Sequence, residues 1–149
     1  MISNLKFATL AAVGLLTLGC SSSSDPGEPK HFVRGVVHVN GEPAHRVAVT
    51  FHHNDTSLPS GKRFATGVTD ESGQFELSSE GDRDGTIAGN YSVTFAWLSA
   101  NDISAYDMFR GTFSKPETST YNVIVPRSGQ EELIFDLNVP EEKLRRPKK

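Results

Sequence analysis

The sequence predicts an all-β chain, an antiparallel β-sandwich of seven short strands, on three observations. Segments rich in β-branched residues recur along positions 31–139 and alternate apolar with polar at period two, as in Val47, Val49 and Phe51 against Ala48, Thr50 and His52. Glycine-bearing turns punctuate them, notably Asn40-Gly41 and Asp70-Glu71-Ser72-Gly73. Only Ser99 to Met108 hints at a helix, and it carries no strong apolar face.

The elements follow in order. His31 to Val39 (HFVRGVVHV) reads as a strand, and Asn40-Gly41 after it is a strong hairpin signal, because a type I′ turn needs positive φ at both central residues. Arg46 to His53 (RVAVTFHH) is expected to be the return strand of that hairpin. Arg63 to Thr69 and Gln74 to Leu77 are expected to pair around Asp70–Gly73, where Asp70 can accept from nearby amides and Gly73 can take the left-handed conformation. Asn90 to Trp97 (NYSVTFAW) puts Tyr91, Val93, Phe95 and Trp97 on one face. Thr120 to Pro126 and Glu132 to Val139 complete the set, and antiparallel pairing of such strands makes a sandwich.

The ends are of another kind. Lys6 is the only charge in positions 1–19, and Phe7 to Leu18 is apolar but shorter than the about 20 residues a membrane-spanning helix needs. A cationic start, an apolar centre and small residues before a cleavage point make a secretory signal. Leu16-Thr17-Leu18-Gly19-Cys20 resembles the lipobox of bacterial lipoproteins. That resemblance implies cleavage before Cys20, diacylglycerol on its thiol and a palmitate-type acyl chain on its new amino group. Several chains anchor stably where one binds marginally. Cys20 is the one cysteine, so lipidation leaves the domain without a disulfide. The expected division is a signal at 1–19, the lipidated Cys20 and a flexible tether over 20–30, the sandwich over 31–139, and a charged disordered tail over 140–149. Ser21 stands where the resemblance would place an aspartate for inner-membrane retention, which points to the outer membrane.

Within the globular part, Val33-Arg34-Gly35-Val36-Val37, Asn40-Gly41-Glu42-Pro43-Ala44, Val47-Ala48-Val49-Thr50-Phe51, Thr69-Asp70-Glu71-Ser72-Gly73-Gln74-Phe75 and Ile87-Ala88-Gly89-Asn90-Tyr91-Ser92-Val93 resemble the carboxypeptidase regulatory-like domains. These are transthyretin-like sandwiches of immunoglobulin/prealbumin type, also similar to the B-type repeats of collagen adhesins. The resemblance implies a fold and no peptidase activity. Hydroxyisourate hydrolases of this fold end in Tyr-Arg-Gly-Ser, whereas this chain ends Arg146-Pro147-Lys148-Lys149. Isopeptide-forming repeats need a lysine in the first strand, where Arg34 stands.

Charge and motifs narrow the chemistry. Without Lys6, one of the 15 Lys+Arg, the chain keeps 14 against 18 Asp+Glu, a formal charge of −4 that disfavours nucleic acid as a partner. His31, His38, His45 and His52 fall seven apart, an odd offset that alternates faces on strands, and no zinc spacing accompanies them. Gly81-Asp82-Arg83-Asp84-Gly85 is half a calcium loop, lacking the later bidentate carboxylate, and reads as a solvated turn. No Gly-x-Ser-x-Gly elbow is present. The expectation is therefore no catalytic residue, no metal and no cofactor. Trp97, Tyr106, Phe109 and Arg110 around the irregular stretch Leu98 to Arg110 form the candidate binding loop, for an envelope protein or a glycan. Read instead as structure, the same aromatics complete the core, with Phe109 inside and Tyr106 exposed. The expected function is a non-catalytic, lipid-anchored binding or structural module of the cell envelope. The second expectation is a periplasmic transthyretin-like carrier or hydrolase acting on a small molecule.

Overall fold

The chain is described by a computed structural model over residues 27–146. The signal, Cys20, the first part of the tether and the last three tail residues lie outside the described residues. Strands β1 (Lys30–His31), β2 (Val33–Val39), β3 (Glu42–Pro43), β4 (Val47–His53) and β5 (Phe64–Val68) come first. They are followed by β6 (Gln74–Glu76), β7 (Thr86–Ile87), β8 (Gly89–Trp97), β9 (Asn122–Val125) and β10 (Gln130–Leu137). Where the sequence predicts seven strands the described residues hold ten, because β1, β3 and β7 are two-residue pairings too short to leave a pattern. Among the described residues there is no α-helix. The Ser99–Met108 stretch is a series of turns.

Two four-stranded sheets face each other. One has β2 between β10 and the short β3 and β6; the other runs β5-β4-β8-β9. Period-two alternation does what it promises here. Val33, Val37 and Val39 of the first sheet and Val47, Val49, Phe51, Tyr91, Val93 and Phe95 of the second are buried in a single core. Phe135 of β10 joins the layers, with its ring centroid 5.1 Å from Phe95, 6.0 Å from Phe75 and 6.4 Å from Phe51.

Strand partnership departs from the sequence reading in three places. Asn40-Gly41 does turn the chain, with φ of 53° and 86°, but the hairpin it closes is β2–β3, pairing only His38 with Pro43 and Val39 with Glu42. The ladder ends one residue on, where the Ala44 N–H donates to the Val37 carbonyl at 3.0 Å. The chain instead bends at Arg46, φ 64°, and β4 enters the opposite sheet, between β5 and β8. Likewise β5 pairs with β4 and β6 with β2, so the Asp70–Gly73 turn crosses between sheets; its arms bond each other at the Thr66–Ser78 bridge and beside the turn, where the Asp70 N–H donates to the Gln74 carbonyl at 2.9 Å. Finally, β10 runs parallel to β2, so the sandwich is not wholly antiparallel. The turn after β9 delivers Gln130 beside Phe32, its N–H donating to the Phe32 carbonyl, and β10 then follows β2 in the same direction.

The charged tail also differs from expectation as far as Arg146. Glu141–Lys143 form a 3-10 turn, Leu144 is buried, and the Arg145 N–H donates to the Met108 carbonyl at 2.8 Å. One apolar residue among charges suffices to dock the segment.

Since both turn residues sit at positive φ, Gly41→Val is expected to cost about 1–3 kcal/mol, read as a lowered melting temperature. An unchanged melting temperature would show that a β-branched residue is tolerated in this turn.

Candidate functional site

Lys30 and Trp97 mark opposite ends of the sandwich. β1 pairs with β7, just before β8 begins, while Leu98 to Arg110 follows the other end of β8, nine residues away. At about 3.3 Å per residue the two ends are about 30 Å apart.

At the far end, the predicted binding loop is built around Asp107, which the sequence reading did not single out. Its Oδ1 accepts the N–H of Trp97 and of Phe109, both at 2.9 Å, and its Oδ2 accepts that of Gly111 at 2.7 Å. The Trp97 indole N–H donates to the His45 carbonyl at 2.9 Å, leaving the ring half-buried. Phe109 is 0% exposed and packs against Trp97 and Phe113, with centroids 5.5 and 5.0 Å away. Tyr106 is half-buried under the Arg145 guanidinium, which stands 4.0 Å above its ring centroid. Arg110 is exposed at φ 54°. The four predicted residues are therefore neighbours along one loop, but Phe109 faces the core, Tyr106 is covered by a cation, and only Arg110 is fully offered to solvent. The most exposed apolar side chain there is Ile103. It follows Asp102, whose carboxylate accepts the Ser104 N–H at 2.8 Å.

At the near end, the half calcium loop is a closed turn. Asp84 accepts the backbone N–H groups of Ser79, Glu80 and Gly81, at 2.7, 3.2 and 2.8 Å, together with the Lys30 ammonium, which also donates to Glu80 at 2.7 Å. Burial opposes ionisation of Asp84, but the ammonium and the three amides outweigh it and hold the carboxyl far below the usual carboxylate range. The Asp84 and Glu80 carboxylates raise the Lys30 ammonium above its ordinary value. Among the described residues no three His, Cys, Asp or Glu side chains converge as a metal site would require.

The histidines scatter. His38 lies 2.8 Å from Asp136 on the outer face of the first sheet. On the outer face of the second, His52 Nε2 lies 2.8 Å from the Thr94 hydroxyl and its ring stands edge-on to Phe64, centroids 5.4 Å apart. Burial lowers the His52 pKa against a smaller opposing pull from Glu117, so the ring is neutral at pH 7. The cleft above it, about 380 Å³, has Arg63 and Phe64 on one side and Pro116 and Glu117 on the other. No local pattern could have found it, because strands paired at long range bring Phe64, His52 and Ser92 into one row.

No family model matches the chain, and no curated protein matches it. Solved structures resemble it in part. A DUF3823 family protein from Parabacteroides merdae ATCC 43184 is 13% identical with a TM-score of 0.41, over 74% of this chain and 46% of that one. A 9R-lipoxygenase from Cyanothece PCC8801 is 16% identical with a TM-score of 0.40, over 75% of this chain and 17% of its own. The chain thus spans less than half the length of either.

Two expectations follow. Phe109→Ala should lower stability by about 3–5 kcal/mol and Tyr106→Ala by about 1 kcal/mol, since the first empties a core position and the second removes one cation–π contact. The reverse order of melting temperatures would contradict this packing. The Lys30–Asp84 pair should give the protein an acid limit. A carboxyl held below its unfolded value contributes stability that is complete above about pH 4 and lost as pH falls further. Asp84→Asn should melt lower at pH 7 and lose less on acidification. Parallel pH–stability curves for the two proteins would show that Asp84 is not the group responsible.

Proposed function

We propose that the chain is a non-catalytic, lipid-anchored β-sandwich of the prealbumin, carboxypeptidase regulatory-like type, acting as a binding or structural module at the cell envelope. The observation that carries this reading is Leu16-Thr17-Leu18-Gly19-Cys20 followed by a polar tether, with the sole thiol of the chain at the lipobox position. The polarity of the sandwich supports it. Ser21 to Lys30 reaches at most about 33 Å when extended, so lipid on Cys20 would keep the Lys30 end near the membrane. The Leu98–Arg110 loop would then face away, toward an envelope protein or a glycan.

The absence of catalysis is proposed on hydrogen-bond accounting. Five loop aspartates are occupied by backbone amides. Asp55, Asp70 and Asp102 each accept the N–H and the hydroxyl of the serine two residues on. Asp84 and Asp107 accept three amides each. Aspartates held this way serve the loops that hold them.

Expression in a bacterium that processes lipoproteins tests the anchor. The wild-type chain should take up labelled palmitate and sediment with membranes. Cys20→Ser should take up none and remain uncleaved or enter the soluble fraction. Equal sedimentation of a fully processed Cys20→Ser protein would refute the lipid anchor.

A further inference from the structure

The cleft on the outer face of the second sheet has what the loops lack, polar groups left without partners. Its floor is the neutral His52 ring, tied to Thr94 and set edge-on to Phe64. Its charged lining residues are Arg63 and Glu117. They stand on different walls, Arg63 at the start of β5 and Glu117 in the 3-10 turn Pro116–Thr118 that packs on β8. No ion pair joins them among the described residues, although each is described. The Arg63 guanidinium carbon lies 5.9 Å from the Phe64 ring centroid, and its Nε is shut off from solvent with no acceptor in reach. Arg46 Nε is also unpaired, but Arg46 lines none of the principal clefts.

We propose that this cleft binds a small zwitterion with an apolar body, a free amino acid in chemical class, its carboxylate on Arg63, its ammonium toward Glu117 and its side chain against Phe64. A planar carboxylate fits the terminal amino edge of a guanidinium in two parallel hydrogen bonds, which a lysine cannot supply. Glu117 disfavours a dianion such as phosphate and rewards a ligand that carries its own positive charge. The volume, about 380 Å³, lies at the lower end of the range of small-molecule sites, about 300–1,000 Å³. The inference rests on the cleft alone and stands whether or not Cys20 carries lipid.

The test is a nuclear magnetic resonance titration of the whole folded domain with L-phenylalanine and, separately, L-leucine. At least one should shift the His52 imidazole resonances saturably. Hydrocinnamate and phenethylamine, each keeping one of phenylalanine's two charges, should bind at least several-fold more weakly. Arg63→Ala should abolish the shift, and Glu117→Gln should weaken it several-fold. Because Arg63→Ala also removes packing on Phe64, Arg63→Lys is the second variant. It keeps the charge and most of the stem, and should weaken binding at least tenfold. The proposal is overturned if neither amino acid gives a saturable shift, if the shift survives in Arg63→Lys at full affinity, or if phenethylamine binds as tightly as the zwitterions.

Discussion

The hydroxyl of Thr69 ties the two sheets together where the chain passes between them. Thr69 is buried; its Oγ1 donates to the Ala44 carbonyl and accepts the Val47 N–H at 2.8 Å. Its backbone completes the joint, with the Arg46 N–H donating to the Thr69 carbonyl and the Thr69 N–H to the Val47 carbonyl, both at 3.0 Å. Buried backbone groups must be paired somewhere, and a strand leaving one sheet for another abandons its ladder partners at the crossing. Here one side chain and one peptide unit satisfy both crossings at once, 44–47 going out and 69–73 coming back. Asp70 then accepts the Ser72 and Gln74 N–H groups, and Gly73 turns at φ 76° where an added Cβ would stand 2.7 Å from the Val37 carbonyl oxygen. The Thr-Asp-x-x-Gly-x-Phe pattern is the covalent record of that joint, and Phe75 is the residue it delivers to the core.

How much of this was legible in the sequence follows from the range of each signal. Alternation is local, and it identified the buried faces of β4 and of β8 as far as Phe95; Trp97 is only half-buried, and Thr94 on the other face is buried. It reports a face, not a neighbour. Nothing in Arg46 to His53 says that its ladder partners are Phe64–Val68 and Gly89–Trp97 rather than the strand just before it. The direction of β10 was equally hidden, since the pattern of Phe135 and Leu137 is the same read beside a parallel or an antiparallel partner.

The site divides along the same line. Turns closed by an aspartate over the next few residues can be read directly, and Asp70 was. Asp55, Asp102 and Asp107 carry the same i to i+2 signature, which could have been recognised. Lys30 with Asp84, Arg145 over Tyr106, and Phe64 beside His52 could not, because each contact joins segments distant in sequence. The aromatic loop carried two readings, a contact surface and a completed core. Aromatics beside irregular chain suggest a contact surface, yet Phe109 and the half-buried Phe113 pack inward, and the irregular chain covers them.

What remains available for recognition is decided by what the fold has not used. A loop carboxylate with three amide donors has little left to give a ligand, and a tyrosine under a guanidinium has one face fewer to offer. The outer faces of the sheets are different, because a strand's ladder consumes its backbone groups and leaves alternate side chains free. Around the first sheet charged side chains pair, Arg34 with Glu131 and His38 with Asp136 on its strands, and Arg83 of the 81–85 turn with Glu76. Over the second, Arg63 just before β5 and Glu117 in the Pro116–Thr118 turn line one cleft, and no ion pair joins them among the described residues. Arg63 is held half-buried against Phe64, so a ligand meeting it would find part of the ordering cost already met by the sandwich.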